Sequence, residues 1–206
     1  MALSTFVKIN SITNLTDARY GAGMNVNLLG FNLDSNSDKY ISHSVFKEIS
    51  GWLSGVDFVG EFTHESIHGL LEILKEYPTI TWIEYDRIEE LKALVGKGYS
   101  LIYRMDLEEV RKIEPQVAKS LGQSGIIFHV VSKQDTLSED DLKVLKNLAE
   151  KCKVILGTGI NVQSVRTLLD NTGIYGISLS GSDEIKPGLK DMDELAEILE
   201  QLEIEE

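Results

Sequence analysis

Eight times along this chain a short apolar run rich in β-formers gives way to a stretch with helical spacing, and strand starts recur roughly every 24 residues. Strict alternation of this kind predicts a parallel sheet. The expected strands are 6–10, 26–33, 57–62, 79–85, 99–104, 125–131, 154–156 and 174–179. Helices are expected over 14–22, 42–53 and 64–75, the last with Ile67, Leu70, Leu71 and Leu74 on one face. Capping-box spacings at Asp86/Glu89, Asp106/Glu109, Ser138/Asp141 and Asp191/Glu194 mark four more helix starts, the second of which must accommodate Pro115. A further helix is expected from about Asn161. Eight units close a (β/α)8 TIM barrel, whose lower size limit is about 200 residues. With 206 residues and no linker or low-complexity segment, residues 1–206 are expected to form a single barrel domain. A doubly wound open sheet is the alternative; no Gly-x-Gly-x-x-Gly follows the first strand to favour it.

The segment 154–191 holds the strongest functional signal. One apolar strand runs into Gly157-Thr158-Gly159, and the next runs into Ser180-Gly181-Ser182. Small residues after a strand let backbone N–H groups approach a ligand, and a helix N-terminus adds partial positive charge, so each loop is a possible phosphate cradle. A single glycine-rich turn of this type is more often only a turn. Two in successive units late in a barrel match the phosphate site formed after strands 7 and 8.

The net charge of −13 argues against nucleic acid and anionic membranes as partners, so a phosphate would be held by local dipoles. The one cysteine, Cys152, allows no disulfide within the chain and no cysteine-based zinc site, and reads as a buried or semi-buried structural thiol. No cofactor or metal is expected. The N-terminal residues lack the apolar core of a signal peptide, and no run reaches the length needed to span a bilayer, so a cytoplasmic location is expected.

Chemistry in a barrel sits at the C-terminal ends of the strands, which selects Lys8, Asn10, Asn32, Glu61, Glu84, Arg104, His129, Thr158 and Ser178, each uncertain by one position of strand parity. Glu61 and Glu84 read as solvated rim carboxylates, with a role as base the alternative. His129 is equally a packed interior imidazole or a proton carrier. Lys8 is either a pocket cation or the partner of a barrel carboxylate. Asn10 is suited to a hydrogen bond with a ligand or a neighbouring strand.

These residues carry a resemblance that spans nearly the whole chain. Residues 7–18 read VKINSITNLTDA, close to a pattern K-I/V-C-G-I/L-T with N, D and A after it. Leu29-Gly30-Phe31, Ser37-Asp38-Lys39-Tyr40-Ile41-Ser42, Val59-Gly60-Glu61-Phe62, Leu156-Gly157-Thr158-Gly159-Ile160, Ser180-Gly181 and Pro187-Gly188-Leu189-Lys190-Asp191 continue it in order. In this the chain resembles the phosphoribosylanthranilate isomerases of tryptophan biosynthesis. The resemblance implies a TIM barrel, a phosphorylated small-molecule ligand and an Amadori-type aldose–ketose isomerisation. It also implies a cysteine base, an aspartic general acid at the end of strand 6, and a basic residue for a carboxylate. Here Asn10 stands at the base position, Ser11 at the following glycine, His129 at the acid and Lys39 at the basic residue. The strand-4 motif Q-L-H-G becomes Ile83-Glu84-Tyr85-Asp86, and the strand-8 aspartate becomes Ser178. An amide has no proton-accepting state near neutral pH. Three functions therefore stay open: the family's isomerisation; a barrel that binds a phosphorylated molecule or a partner protein without it; and a different proton transfer on a sugar phosphate by His129 with Glu61 or Glu84. The oligomeric state is not legible.

Overall fold

The computed structural model describes residues 2–180, 184–186, 189–190 and 193–204. Eight parallel strands close a barrel: β1 (Phe6–Asn10), β2 (Leu28–Asn32), β3 (Asp57–Glu61), β4 (Ile80–Tyr85), β5 (Ser100–Asp106), β6 (Ile127–Val131), β7 (Val154–Leu156) and β8 (Gly176–Ser180), with β8 paired back to β1. The helices are α1 (Leu15–Gly23), α2 (His43–Ser50), α3 (Ile67–Leu74), α4 (Ile88–Lys92), α5 (Leu107–Val110), α6 (Pro115–Gln123), α7 (Glu139–Ala149), α8 (Val165–Thr172) and α9 (Asp193–Gln201). A short antiparallel pair, β9 (Glu184–Lys186) with β10 (Leu189–Lys190), follows β8 and has no counterpart in the sequence-based expectation.

The period of two along each strand divides the side chains into two populations. Outward-pointing residues such as Val7, Ile9, Leu29, Phe31, Ile83, Phe128, Leu156 and Ile177 pack under the helices in the main core. Inward-pointing residues form storeys inside the barrel. The lower storey is apolar: Leu28, Val59, Ile102, Ile127 and Ile155 cluster together, with Phe6, Trp82 and Tyr175 packed against them. Phe6 stacks on Tyr175 at 4.8 Å between ring centroids. Two residues further along the same strands lies a polar storey: Lys8 above Phe6, Glu61 above Val59, Glu84 above Trp82, Arg104 above Ile102 and His129 above Ile127. The sequence pattern thus seals the barrel below and leaves its upper half for chemistry.

Several boundaries differ from expectation for identifiable reasons. Asp86 is not a cap: α4 opens one residue later on Arg87, without a side-chain cap, and Glu89 and Glu90 in its first turn meet the dipole instead. The helix expected to contain Pro115 divides into α5 and α6, because a proline lacks the N–H that an interior turn needs and fits the first helical position. The helix expected from Asn161 begins at Val165, after a turn in which Asn161 Oδ1 accepts from the Ser164 N–H. The proposed cap at Asp191 lies outside the described residues. Cys152 is half-buried, and burial pushes its thiol up to about 12. No helix among the described residues is long and apolar enough to cross a membrane.

The capping box of α7 is complete. Ser138 Oγ accepts from the Asp141 N–H, Asp141 Oδ2 accepts from the Ser138 N–H at 2.8 Å, and Arg111 pairs with Asp141 Oδ1. Ser138→Ala removes one partner of this reciprocal pair, and urea unfolding is expected to show a loss of about 1 kcal/mol. An unchanged midpoint would mean that Arg111 alone holds the helix start.

Candidate functional site

At the centre of the polar storey is Lys8, whose ammonium is fully buried. Its three N–H groups have three acceptors: Glu61 Oε1 at 2.5 Å, Asn10 Oδ1 at 2.5 Å and Glu84 Oε2 at 2.8 Å. Two residues on one strand reach the same interior because β1 presents Lys8 and Asn10 on the same side. The remaining contacts close a ring. Asn10 Nδ2 donates to Ser178 Oγ at 3.0 Å, Ser178 Oγ meets His129 Nε2 at 2.6 Å, and His129 Nδ1 meets Glu84 Oε2 at 3.0 Å. Facing a carboxylate, Nδ1 carries a proton and donates; at Nε2, the serine hydroxyl can partner either protonation state of the imidazole.

Glu61 and Glu84 are therefore not rim residues, as the sequence suggested. They are 6% and 4% exposed, and their charge is tolerated inside the barrel because Lys8 stands between them. Glu61 also accepts the Ser11 N–H at 3.1 Å and the Ser11 hydroxyl at 2.9 Å. Its seat depends on Gly30: a Cβ there would lie 1.9 Å from Glu61 Oε1. Ser11 itself holds a positive φ of 49°, a conformation that ordinarily favours glycine and here is tied to Glu61 by both of its donors.

Burial alone would lower the Lys8 pKa, but the charges of Glu61 and then Glu84 outweigh it, and the ammonium is stabilised above its ordinary range. Burial likewise pushes the Glu84 carboxyl up, and the charges of His129 and Lys8 with their hydrogen bonds outweigh that, holding it well below the usual carboxylate range.

Above this ring opens a cavity of about 440 Å³. Asn10, Lys39, Glu61, Glu84, Arg104, His129, Gly157, Thr158 and Ser180 all line it, together with Asn32. Lys8 and Ser178 sit beneath the lining. Gly159 does not reach the cavity; its φ is +70°, and a Cβ there would strike Leu137. Gly181 and Ser182 lie outside the described residues. Gly157 rests on the His129–Ser178 contact, where a Cβ would come within 2.7 Å of both His129 Nε2 and Ser178 Oγ. Thr158 Oγ1 accepts from the Ser132 N–H at 2.8 Å and so joins the loops after β6 and β7.

Ser11, Ser37, Asp38, Thr63 and Ser132 also line the cavity. Ser132 directly follows a strand, so the strand-end rule points to it. A buried clamp was missed as well. Asp34, fully buried, accepts from the N–H groups of Asn36 at 3.0 Å and His64 at 2.6 Å, and from His64 Nδ1 at 2.8 Å. Burial raises its carboxyl, but these hydrogen bonds bring it down to about 2. The clamp joins the loop carrying Ser37 to Lys39 with the loop carrying Thr63. An Asx turn at Asp34-Ser35-Asn36 was its sequence signal. Among the described residues there is no group of three His, Cys, Asp or Glu side chains that could hold a metal.

The geometry gives a signed pH dependence. Glu84's folded pKa is depressed, so its contribution is present above the unfolded value of about 4.3 and is lost as pH falls through the folded value. Lys8's is raised, so its contribution is complete below about 10.4 and is lost as pH rises through the folded value. Lys8→Met leaves two buried carboxylates without their cation. Denaturant unfolding at pH 7 should show a loss of about 3–5 kcal/mol, and a smaller one near pH 4, where protonation relieves the repulsion. An equal loss at both pH values would assign Lys8 a packing role only.

Comparison with known proteins follows the same outline. A family model for N-(5'-phosphoribosyl)anthranilate (PRA) isomerase matches residues 7–201. The N-(5'-phosphoribosyl)anthranilate isomerase of Thermotoga neapolitana is 28% identical over 215 residues, covering 95% of this chain and 97% of that protein. That of Aquifex aeolicus is 26% identical over 205 residues, covering 97% and 98%. The crystal structure of the Thermotoga maritima enzyme superposes with a TM-score of 0.78 at 22% identity, over 96% of this chain and 98% of that one. A phosphoribosyl anthranilate isomerase solved in complex with reduced 1-(o-carboxyphenylamino)-1-deoxyribulose 5-phosphate superposes with a TM-score of 0.75 at 20% identity, over the same shares.

Proposed function

The chain belongs to the N-(5'-phosphoribosyl)anthranilate isomerase family of TIM barrels, a tryptophan-biosynthesis family, and on that premise we propose that it binds a phosphorylated sugar-type ligand at the barrel mouth without performing the family's aldose–ketose rearrangement. In this reading residues 1–206 act as one barrel domain. The phosphate lies against Gly157, Thr158 and Ser180, supported by their place on the cavity wall and by the phosphorylated ligand held by one solved relative.

The observation that carries the proposal is the state of Asn10. It stands at the position of the family's base, and its amide is engaged at both ends, accepting from Lys8 and donating to Ser178. A neutral amide so held takes no proton from a sugar carbon. The nearby carboxylates do not replace it. Glu61 is bonded to Lys8 and Ser11, and Glu84, bonded to Lys8 and His129, has a depressed pKa that makes it a weak base.

One observation favours a second reading. His129 lines the cavity with Glu84 on its far nitrogen, the arrangement of a carboxylate-oriented acid–base histidine. A different proton transfer on a sugar phosphate would use that pair.

The test is complementation of a tryptophan auxotroph lacking the isomerase, backed by single-turnover kinetics with freshly made phosphoribosylanthranilate. Because general acid–base groups contribute roughly 10²–10⁴-fold each, the wild-type chain should fall at least about 10²-fold below an active member of the family and should not support growth. An Asn10→Cys, His129→Asp double variant should recover measurable turnover. Robust growth with the wild type would overturn the proposal and move the assignment to the Glu84–His129 pair.

A further inference from the structure

We infer that an oxyanion binds at the Gly157–Ser180 wall together with a proton on His129, which turns the Ser178 hydroxyl away from the imidazole and toward the anion. The inference rests on the phosphate reading above and states what the site takes up along with that ligand. His129 is in this role a positioning residue that acts through Ser178.

The hydrogen bonds of the buried ring run in a fixed direction. Lys8 can only donate, so Asn10 turns Oδ1 to it and Nδ2 to Ser178. Ser178 Oγ therefore accepts from Asn10. The Glu84 carboxylate keeps a proton on His129 Nδ1. In a neutral imidazole Nε2 is then an acceptor, and the single O–H of Ser178 fills it at 2.6 Å. Ser178 has no proton left for a ligand. Protonation reverses this one link. Nε2 becomes a donor, Ser178 Oγ accepts from both His129 and Asn10, and its own O–H is released. Neither neighbour can take it, because both now donate. Ser180 lies two residues further along β8, on the same side of the strand, and lines the cavity. Gly157 lines it too, and a Cβ there would lie 2.7 Å from Ser178 Oγ. An anion held at this wall meets the released O–H.

Charge acts in the same sense. The charged groups of the His129 storey are Lys8 from β1, Glu61 from β3, Glu84 from β4 and Arg104 from β5. Two cations meet two carboxylates, so the interior is balanced while His129 is neutral. Lys39 and Asp38 add one charge of each sign at the mouth, and Asp86 acts on Arg104 from just beyond β4. A proton on His129 leaves one positive charge over inside the barrel, and an anion compensates it. Lys8 is held charged above its ordinary range, Glu84 is held ionised well below its own, and a guanidinium does not titrate. The imidazole is the side chain of this set that ordinarily changes charge near neutral pH.

Sulfate, whose charge is constant between pH 6 and pH 8, is the probe. Isothermal titration of the full chain in buffers of different ionisation enthalpy counts the protons taken up, and heteronuclear spectra with isotope-labelled histidine report the His129 ring. The free protein at pH 8 should show a neutral imidazole protonated at Nδ1, and saturating sulfate should convert it to imidazolium. Affinity should fall about tenfold or more from pH 6 to pH 8, since the complex binds the extra proton. Ser178→Ala should weaken sulfate about tenfold at pH 6 and little at pH 8, because only the protonated state turns the hydroxyl outward. His129→Asn should lose the pH dependence, and His64→Gln, which alters the histidine paired with Asp34, should keep it. The histidine spectrum is repeated with glucose 6-phosphate at pH 8, where that ligand is fully ionised, and the same conversion is expected. Binding of either anion with no proton uptake and an unchanged His129 signal would overturn the inference and leave the phosphate reading standing. An equal cost of Ser178→Ala at both pH values would also overturn it. Failure of both anions to bind at either pH would instead reject the phosphate reading, and this inference with it.

Discussion

A single ammonium group at the barrel axis makes the upper interior of this protein possible. Lys8 is surrounded by acceptors from three strands, and removing any of them would leave charge or polarity buried without compensation. Two glutamates enter the barrel because Lys8 is there. Gly30 has no side chain because one of those glutamates needs the space. Ser11 adopts a strained backbone while donating to the same carboxylate. The arrangement is costly to desolvate and becomes tolerable only because nearly every donor and acceptor in it is matched.

The apolar storey beneath is what keeps that network dry from below. Leu28, Val59, Ile102, Ile127 and Ile155 fill the lower barrel, so the polar ring meets solvent only at the mouth, through the cavity that Asn10, His129 and Arg104 line. This division fits a fold whose loops carry chemistry at one end while the other end supplies stability. The net charge of −13 does not oppose the proposed anion ligand, because local cations and backbone amides at the mouth act over shorter distances than the dispersed surface carboxylates.

Most of the fold was legible because its determinants are local. The closed barrel followed from counting repeated units, but strand parity did not, because a run such as Ile127–Val131 is largely apolar on both faces and only its pairing with the neighbouring strands shows which side chains point inward. The errors are local as well: Asp86 looked like a cap because spacing alone cannot show where a strand releases the chain, and Pro115 was read as a strain rather than as a start. The candidate site was legible in its strand-end members, but not in several loop residues that line the cavity nor in its connections. Glu61 looked like a rim residue because its partner lies 53 residues away on another strand, and no window of sequence displays such a pairing. The Asp34 clamp, which reaches 30 residues to His64, escaped for the same reason.

The contact between Ser11 and Glu61 also bears on how such a pocket can change over time. The resemblance places a glycine at the position of Ser11, and a cysteine and an aspartate at 10 and 129. Because the carboxylate of Glu61 serves both Lys8 and Ser11, replacing it alone would leave Lys8 with only Glu84 and Asn10 as acceptors and leave an unfavourable backbone angle unsupported. The altered positions therefore constitute one epistatic block. Substitutions at these positions should therefore be non-additive, because the side chains share one carboxylate and one ammonium.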